Sequence, residues 1–112
     1  MSNIVPLPRQ SAGQVGFDRA ELSRILDLYG RMVAAGQWRD YAMSFEREAA
    51  SFSAFRRAAE RPQVRIEKCP ALRQRQGIWT LFGEAGQVLK RGHELPGVLS
   101  ILERRLLKLV DD

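Results

Sequence analysis

The apolar residues of this chain change period twice, and that double change limits the fold more than any motif. Leu22, Ile25, Leu26, Tyr29, Met32 and Val33 recur every three or four residues, the spacing of one helix face. After Gly36 the period drops to two, so that Trp38, Asp40, Ala42 and Ser44 alternate with Tyr41, Met43 and Phe45, as along a half-buried strand with the second set inward. From Leu95 the helical spacing returns through Val98, Leu99, Leu102, Leu106 and Leu109. Helix, a run of short strands, then helix predicts an α+β domain. It has an N-terminal helix, an antiparallel meander of four to five strands and a C-terminal helix, with the helices on one face of the sheet.

Local signals sharpen the boundaries. Asp18 stands where an N-cap is needed, with Glu21 three residues on as in a capping box, and Phe17 and Leu22 occupy the positions of a hydrophobic staple. Gly36 suits the residue just past the helix end, which predicts a first helix from about Arg19 to Ala35. Gly30 inside that pattern costs roughly 1 kcal/mol relative to Ala, so it is expected to mark close packing. "REA" should turn the chain after the first strand. Residues 46–60 then admit two readings, a short aromatic strand over "ASFSAFRR" or a helix built on Glu46 to Ala50. "QVRIEK" alternates as a strand between Pro62 and Pro70, neither of which suits a central-strand position. "GIWTLFG" is apolar on both faces and should lie centrally, with "EAG" connecting it to "QVLKRG" as a hairpin over 77–91. Pro96 fits the first turn of a helix starting near Glu94.

The charge is unevenly placed. The formal net charge is +5, and residues 54–76 alone hold seven basic and two acidic side chains while the remainder balances to zero. Fifteen of the eighteen basic residues are Arg, whose planar fork suits phosphate and carboxylate. An anionic partner and an ordinary solvated surface are both compatible with that excess. Residues 1–15, with Pro6, Pro8 and Gly13 and no period, read as a flexible N-terminal arm before a single domain over 16–112. The first residues lack the basic region and apolar run of a secretory signal, and no stretch reaches the roughly 18 apolar residues of a spanning helix. One cysteine allows no internal disulfide. The expected location is the cytoplasm.

Three stretches, "FDRAELSRILDLYGRMVAAGQWRDYA", "FSAFRRAAERPQVRIEKCPALRQRQG" and "LKRGHEL", together resemble a small bacterial family known as a domain of unknown function, DUF2794. Most of the specificity lies in the Arg65–Gly77 segment. The resemblance covers nearly everything after the arm and implies a bacterial cytoplasmic domain, with no activity, cofactor or partner attached. Cys69 stands where the family is associated with a basic residue, which implies that the charged segment tolerates loss there.

Catalytic groups are sparse. His93 and Cys69 are single residues of their kinds, and a thiolate–base pair requires a geometry their positions do not impose. Asp40, Glu67 and Glu94 share no metal-ligand spacing, and the glycines form neither a dinucleotide fingerprint nor a P-loop. No enzyme activity and no cofactor are expected. The candidate anion- or partner-binding residues are Arg56, Arg57, Arg65, Lys68, Arg73 and Arg75, with Lys90, Arg91 and His93 at the corner before the last helix, whose free N–H groups favour an anion. Trp38, Trp79, Tyr41 and Phe82 are candidate stacking platforms beside them, and core packing is the simpler role for such rings. The first expectation is a macromolecule-binding or adaptor domain with a protein partner on its Arg-rich face. The alternative is a module contacting the nucleic-acid phosphate backbone. No membrane association is expected, and a homodimer is possible through an edge strand at Pro62–Cys69 or through the last helix.

Overall fold

Asp18 opens the first helix in the manner its surroundings require. The computed structural model describes residues 13–57 and 61–111, so the arm expected over 1–15 lies largely outside the described residues. Helix α1 runs Arg19–Ala34. The Glu21 N–H donates to Asp18 Oδ1 at 2.7 Å, and the Asp18 N–H donates to Glu21 Oε1 at 2.9 Å, a reciprocal capping box. At the other end Gly36 donates to the Val33 carbonyl and Gln37 to that of Met32, with Gly36 at φ +78°, a Schellman closure. The buried stripe is Ile25, Leu28 and Met32. The expected stripe omitted Leu28 and included Val33, which is 40% exposed; the helix is rotated so that its inner ridge follows Leu28. Gly30 is exposed and an added Cβ would meet nothing within 4 Å, so close packing does not explain it.

Five strands follow: β1 Asp40–Phe45, β2 Ala50–Phe55, β3 Val64–Lys68, β4 Trp79–Phe82 and β5 Val88–Gly92. They pair antiparallel in sequence order, and helix α2 closes the chain at Leu95–Asp111. Residues 50–55 are therefore strand, and the helical alternative for 46–60 falls away: the Glu46–Ala49 turn returns the chain directly onto β1. The β3 strand is central. Its prolines stand outside the paired residues, so neither removes a ladder hydrogen bond, and the edge-pairing expected at Pro62–Cys69 has no edge to use. The edges are β1 and β5.

Cross-strand register assigns the two faces. One carries Met43, Phe52, Ile66 and Leu81 in a row, flanked by Tyr41, Ala54 and Val64 and by Phe45, Ala50, Lys68 and Trp79. The helices cover this face, and its central residues from Phe52 to Leu81 are fully enclosed. Tyr41, Met43 and Phe45 do point inward, but on an edge strand they remain partly exposed. Aromatic rings fill the gap beneath α1, where Tyr29 lies 6.0 Å from Trp38, 5.0 Å from Tyr41 and 6.0 Å from Phe52 between ring centroids. Burial raises the Tyr29 phenol pKa above its usual 10.0, and the negative charge of Asp40 raises it further. Trp38 precedes β1 and is 2% exposed; the alternation that set it on the polar face does not extend that far.

Lys68 is a half-buried cation in the covered rows. Its ammonium lies 5.9 Å from the centroid of the Trp79 ring and donates to Glu21 Oε1 at 2.7 Å and to the Gly16 carbonyl at 2.8 Å. The same carboxylate therefore caps α1 and anchors β3. The α2 helix packs against β4 and β5, and at Gly92 even a Cβ would touch Val98 at 3.8 Å. Gly77 turns the chain into β4 at φ +93°, where a Cβ would run into the Gly92 carbonyl group and come within 2.8 Å of the His93 nitrogen.

Candidate anion-binding surface

The helix-free face of the sheet carries two full rows and, at one end, the Asp40–Phe55 pair. Ser44, Ser51, Glu67, Thr80 and Arg91 form one, and Ala42, Ser53, Arg65, Phe82 and Val88 the other. Small side chains on β1 and β2 leave that half low, and longer ones stand on β3 to β5. Arg65 donates to Glu67 Oε2 at 2.9 Å, and its guanidinium lies 4.2 Å from the centroid of the Phe82 ring, a cation–π contact. Thr80 sits between Glu67 and Arg91 in its row and is 3% exposed.

The other basic residues divide between the two ends of the sheet. Arg56 and Arg57 follow β2, and Arg61 precedes Pro62 and β3. These three line a cleft of about 250 Å³ with Gln63 and Glu84. None of the three guanidiniums has an ion pair among the described residues, where the ion pairs involve Arg31, Arg65 and Lys68. Gln63 is held in place because its Oε1 accepts from the Trp38 indole N–H at 3.1 Å. Arg73 and Arg75 lie beyond the opposite end of β3, after a short 3₁₀ turn at Pro70–Leu72, and both are exposed. The five residues of β3 set the two groups about 16 Å apart at ~3.3 Å per residue. Arg57, Arg65, Arg73 and Arg75 thus do not share one continuous patch.

Three further candidates separate as well. Lys68 is turned to the covered face and engaged by Glu21, so it contributes nothing to an outer basic surface. On β5, Arg91 belongs to the helix-free rows, whereas Lys90 stands opposite Leu81 on the helix side. His93 is exposed and lines a second cleft of about 250 Å³, with Glu21, Arg24, Trp79 and Glu94 among its walls. Two carboxylates there counter the attraction of the helix N-terminus for an anion.

Sequence reasoning missed Arg61 as a site residue, and with it Gln63, Glu84 and the stacking of Arg65 on Phe82. Glu84 lies in a hairpin turn remote in sequence, and only the β3–β4 register brings it beside Gln63. Of the proposed stacking platforms, Trp38 and Trp79 are each 2% exposed, Phe82 is covered by Arg65, and Tyr41 stacks on Phe52. Among the described residues no hydrogen bond joins Cys69 to His93, no group of three His, Cys, Asp or Glu is placed to hold a metal, and no helix is long and apolar enough to cross a membrane.

A family model described as a protein of unknown function, DUF2794, matches residues 15–99. That span begins at Val15, whose N–H donates to the Glu46 carbonyl, and takes in the whole sheet with the first turn of α2. No curated protein and no solved structure matches the chain.

Proposed function

The chain belongs to that family, and we propose that it is a non-enzymatic, cytoplasmic macromolecule-binding module of a bacterium, docking a protein partner through its helix-free sheet face. The observation that carries this reading is the one-sided layering. Both helices lie on one face, and the other presents Arg65 and Arg91 among Ser44, Ser51 and Ser53 with no second layer of described structure. Serine and alanine keep one half shallow enough for a partner's side chains to approach. Arginine is the charged residue most enriched at interfaces, since its guanidinium stacks and hydrogen-bonds at once.

The test is affinity capture from the native cell, with and without nuclease, using the natural chain beside an Arg65→Glu/Arg91→Glu variant. A partner that survives nuclease and is lost with the variant supports the reading. A partner retained equally by both rejects it. The same guanidiniums favour a second reading, contact with the nucleic-acid backbone, for which the buried tryptophans offer no stacking surface. It requires binding to mixed-sequence DNA or RNA at low salt that weakens steeply as salt rises; a fluorescence titration showing none removes it.

A further inference from the structure

Arg56, Arg57 and Arg61 line one cleft in which, among the described residues, Glu84 is the carboxylate, a lining that favours an anion. Arg56, Arg57 and Arg61 meet Gln63 and Glu84 around a volume of about 250 Å³. Among the described lining residues three guanidiniums face one carboxylate, and like charges lining one cleft repel one another less when an anion enters. Exposure to water reduces that repulsion without changing its sign.

The geometry of the donors narrows the anion. A carboxylate carries one charge and is satisfied by one planar fork. A phosphoryl group carries up to two charges and presents oxygens in several directions, which suits three guanidinium forks lining one cleft. Gln63 adds a fixed element: its Oε1 is taken by the Trp38 indole, so its NH₂ is the part left to donate. The volume equals roughly eight waters at ~30 Å³ each. That is room for one or two phosphoryl groups with some hydration and less than most whole-ligand sites occupy.

We propose that this cleft, at the end of the sheet, binds the phosphoryl or pyrophosphoryl group of a small phosphorylated ligand. The site is separate from the helix-free docking face, and either can exist without the other.

Trp38 supplies an internal reporter, because its indole N–H is bonded to a residue of the cleft wall. Trp79, which lines the other cleft with His93, supplies the control. The full chain, labelled with nitrogen-15, is titrated at low ionic strength with pyrophosphate, inorganic phosphate, acetate and sodium chloride at matched ionic strength. The expected result is a saturable shift of the Trp38 indole resonance with pyrophosphate and phosphate only, with Trp79 unmoved. Arg57→Ala/Arg61→Ala should weaken the midpoint by about tenfold or more, since charge-assisted bonds are removed. Glu84→Gln should tighten it several-fold by removing the repelling carboxylate. Arg65→Glu/Arg91→Glu, which tests the docking face, should leave a saturable Trp38 response in place. The proposal is overturned by an absent or non-saturable Trp38 response, by an equal response to chloride or acetate, by Trp79 moving in parallel, or by a double variant that binds as the natural chain does. Both arginines are exposed, so the double variant should fold, and an unchanged spectrum away from the cleft verifies it.

Discussion

Replacing Lys68 by Met should destabilise the domain by about 2–3 kcal/mol, even though Lys68 belongs to the basic segment and looks from sequence like a surface charge. Its ammonium donates to Glu21 Oε1 at 2.7 Å and to the Gly16 carbonyl at 2.8 Å, and the two charged side chains are only 15% and 20% exposed. A hydrogen bond to a charged group contributes about 1.5–3 kcal/mol, and removing one partner of a fully buried pair costs about 3–5 kcal/mol. Residual contact with water places this pair below that upper range. Met retains most of the aliphatic stem, so the change removes the charge together with its two hydrogen bonds and its contact with the Trp79 ring. Glu21→Gln keeps an oxygen for the capping box and should cost less, about 1–1.5 kcal/mol. Urea unfolding of both single variants and the double variant, followed by tryptophan fluorescence, gives the coupling energy directly. A coupling of about 1–2 kcal/mol is expected. A value below ~0.5 kcal/mol in 0.15 M salt, as for exposed pairs, would refute the claim that one carboxylate joins the helix cap to the sheet.

Two glycines should respond in opposite directions. Gly30→Ala, at an exposed helical position with open space around the Cβ, should raise stability by about 0.5–1 kcal/mol, whereas Gly77→Ala should lower it by ~3 kcal/mol or more. At Gly77 a positive φ and a backbone collision act together, and a positive φ alone costs roughly 1–2 kcal/mol; urea midpoints measure both. Because the native state holds the Tyr29 phenol pKa above 10.0, it favours the protonated form. The stability linked to that group is fully present below pH 10 and is lost as pH rises through the folded value. A spectrophotometric titration of phenolate should show a late component that Tyr29→Phe removes.

What could be read from the chain alone follows the range of the interactions involved. The α1 cap was legible because Asp18 and Glu21 are three residues apart and act on their own backbone. Most of the strands were legible for similar reasons, from alternation and turn residues, but β2 stayed open between strand and helix because Glu46 to Ala50 are good helix formers. The position of β3 was not, because Pro62 and Pro70 suggest an edge until the register shows them outside the ladder. Lys68 counted as surface charge because its partner lies 47 residues away. The arginine cleft was hidden for the same cause: Arg56, Arg57 and Arg61 are near neighbours in sequence, but Glu84 and the Trp38-held Gln63 join them only through strand pairing and the docking of the residues before β1. Counting charge along residues 54–76 suggested one patch, whereas β3 runs through the middle of that segment and carries its two halves to opposite ends of the sheet.

Neighbour-only strand order bears on how the chain reaches this state. Each strand pairs with the one just before it, so every step of sheet assembly closes a short loop, and short closures lose little chain entropy. Such a topology favours rapid folding for a β-rich domain. The distant closures are those of α1, through Lys68 to Glu21 across 47 residues and through Arg31 to Glu103 across 72. The sheet with α2 can therefore assemble before α1 docks, which makes seating of the first helix the step at which Phe52 loses contact with water beneath the Tyr29 ring.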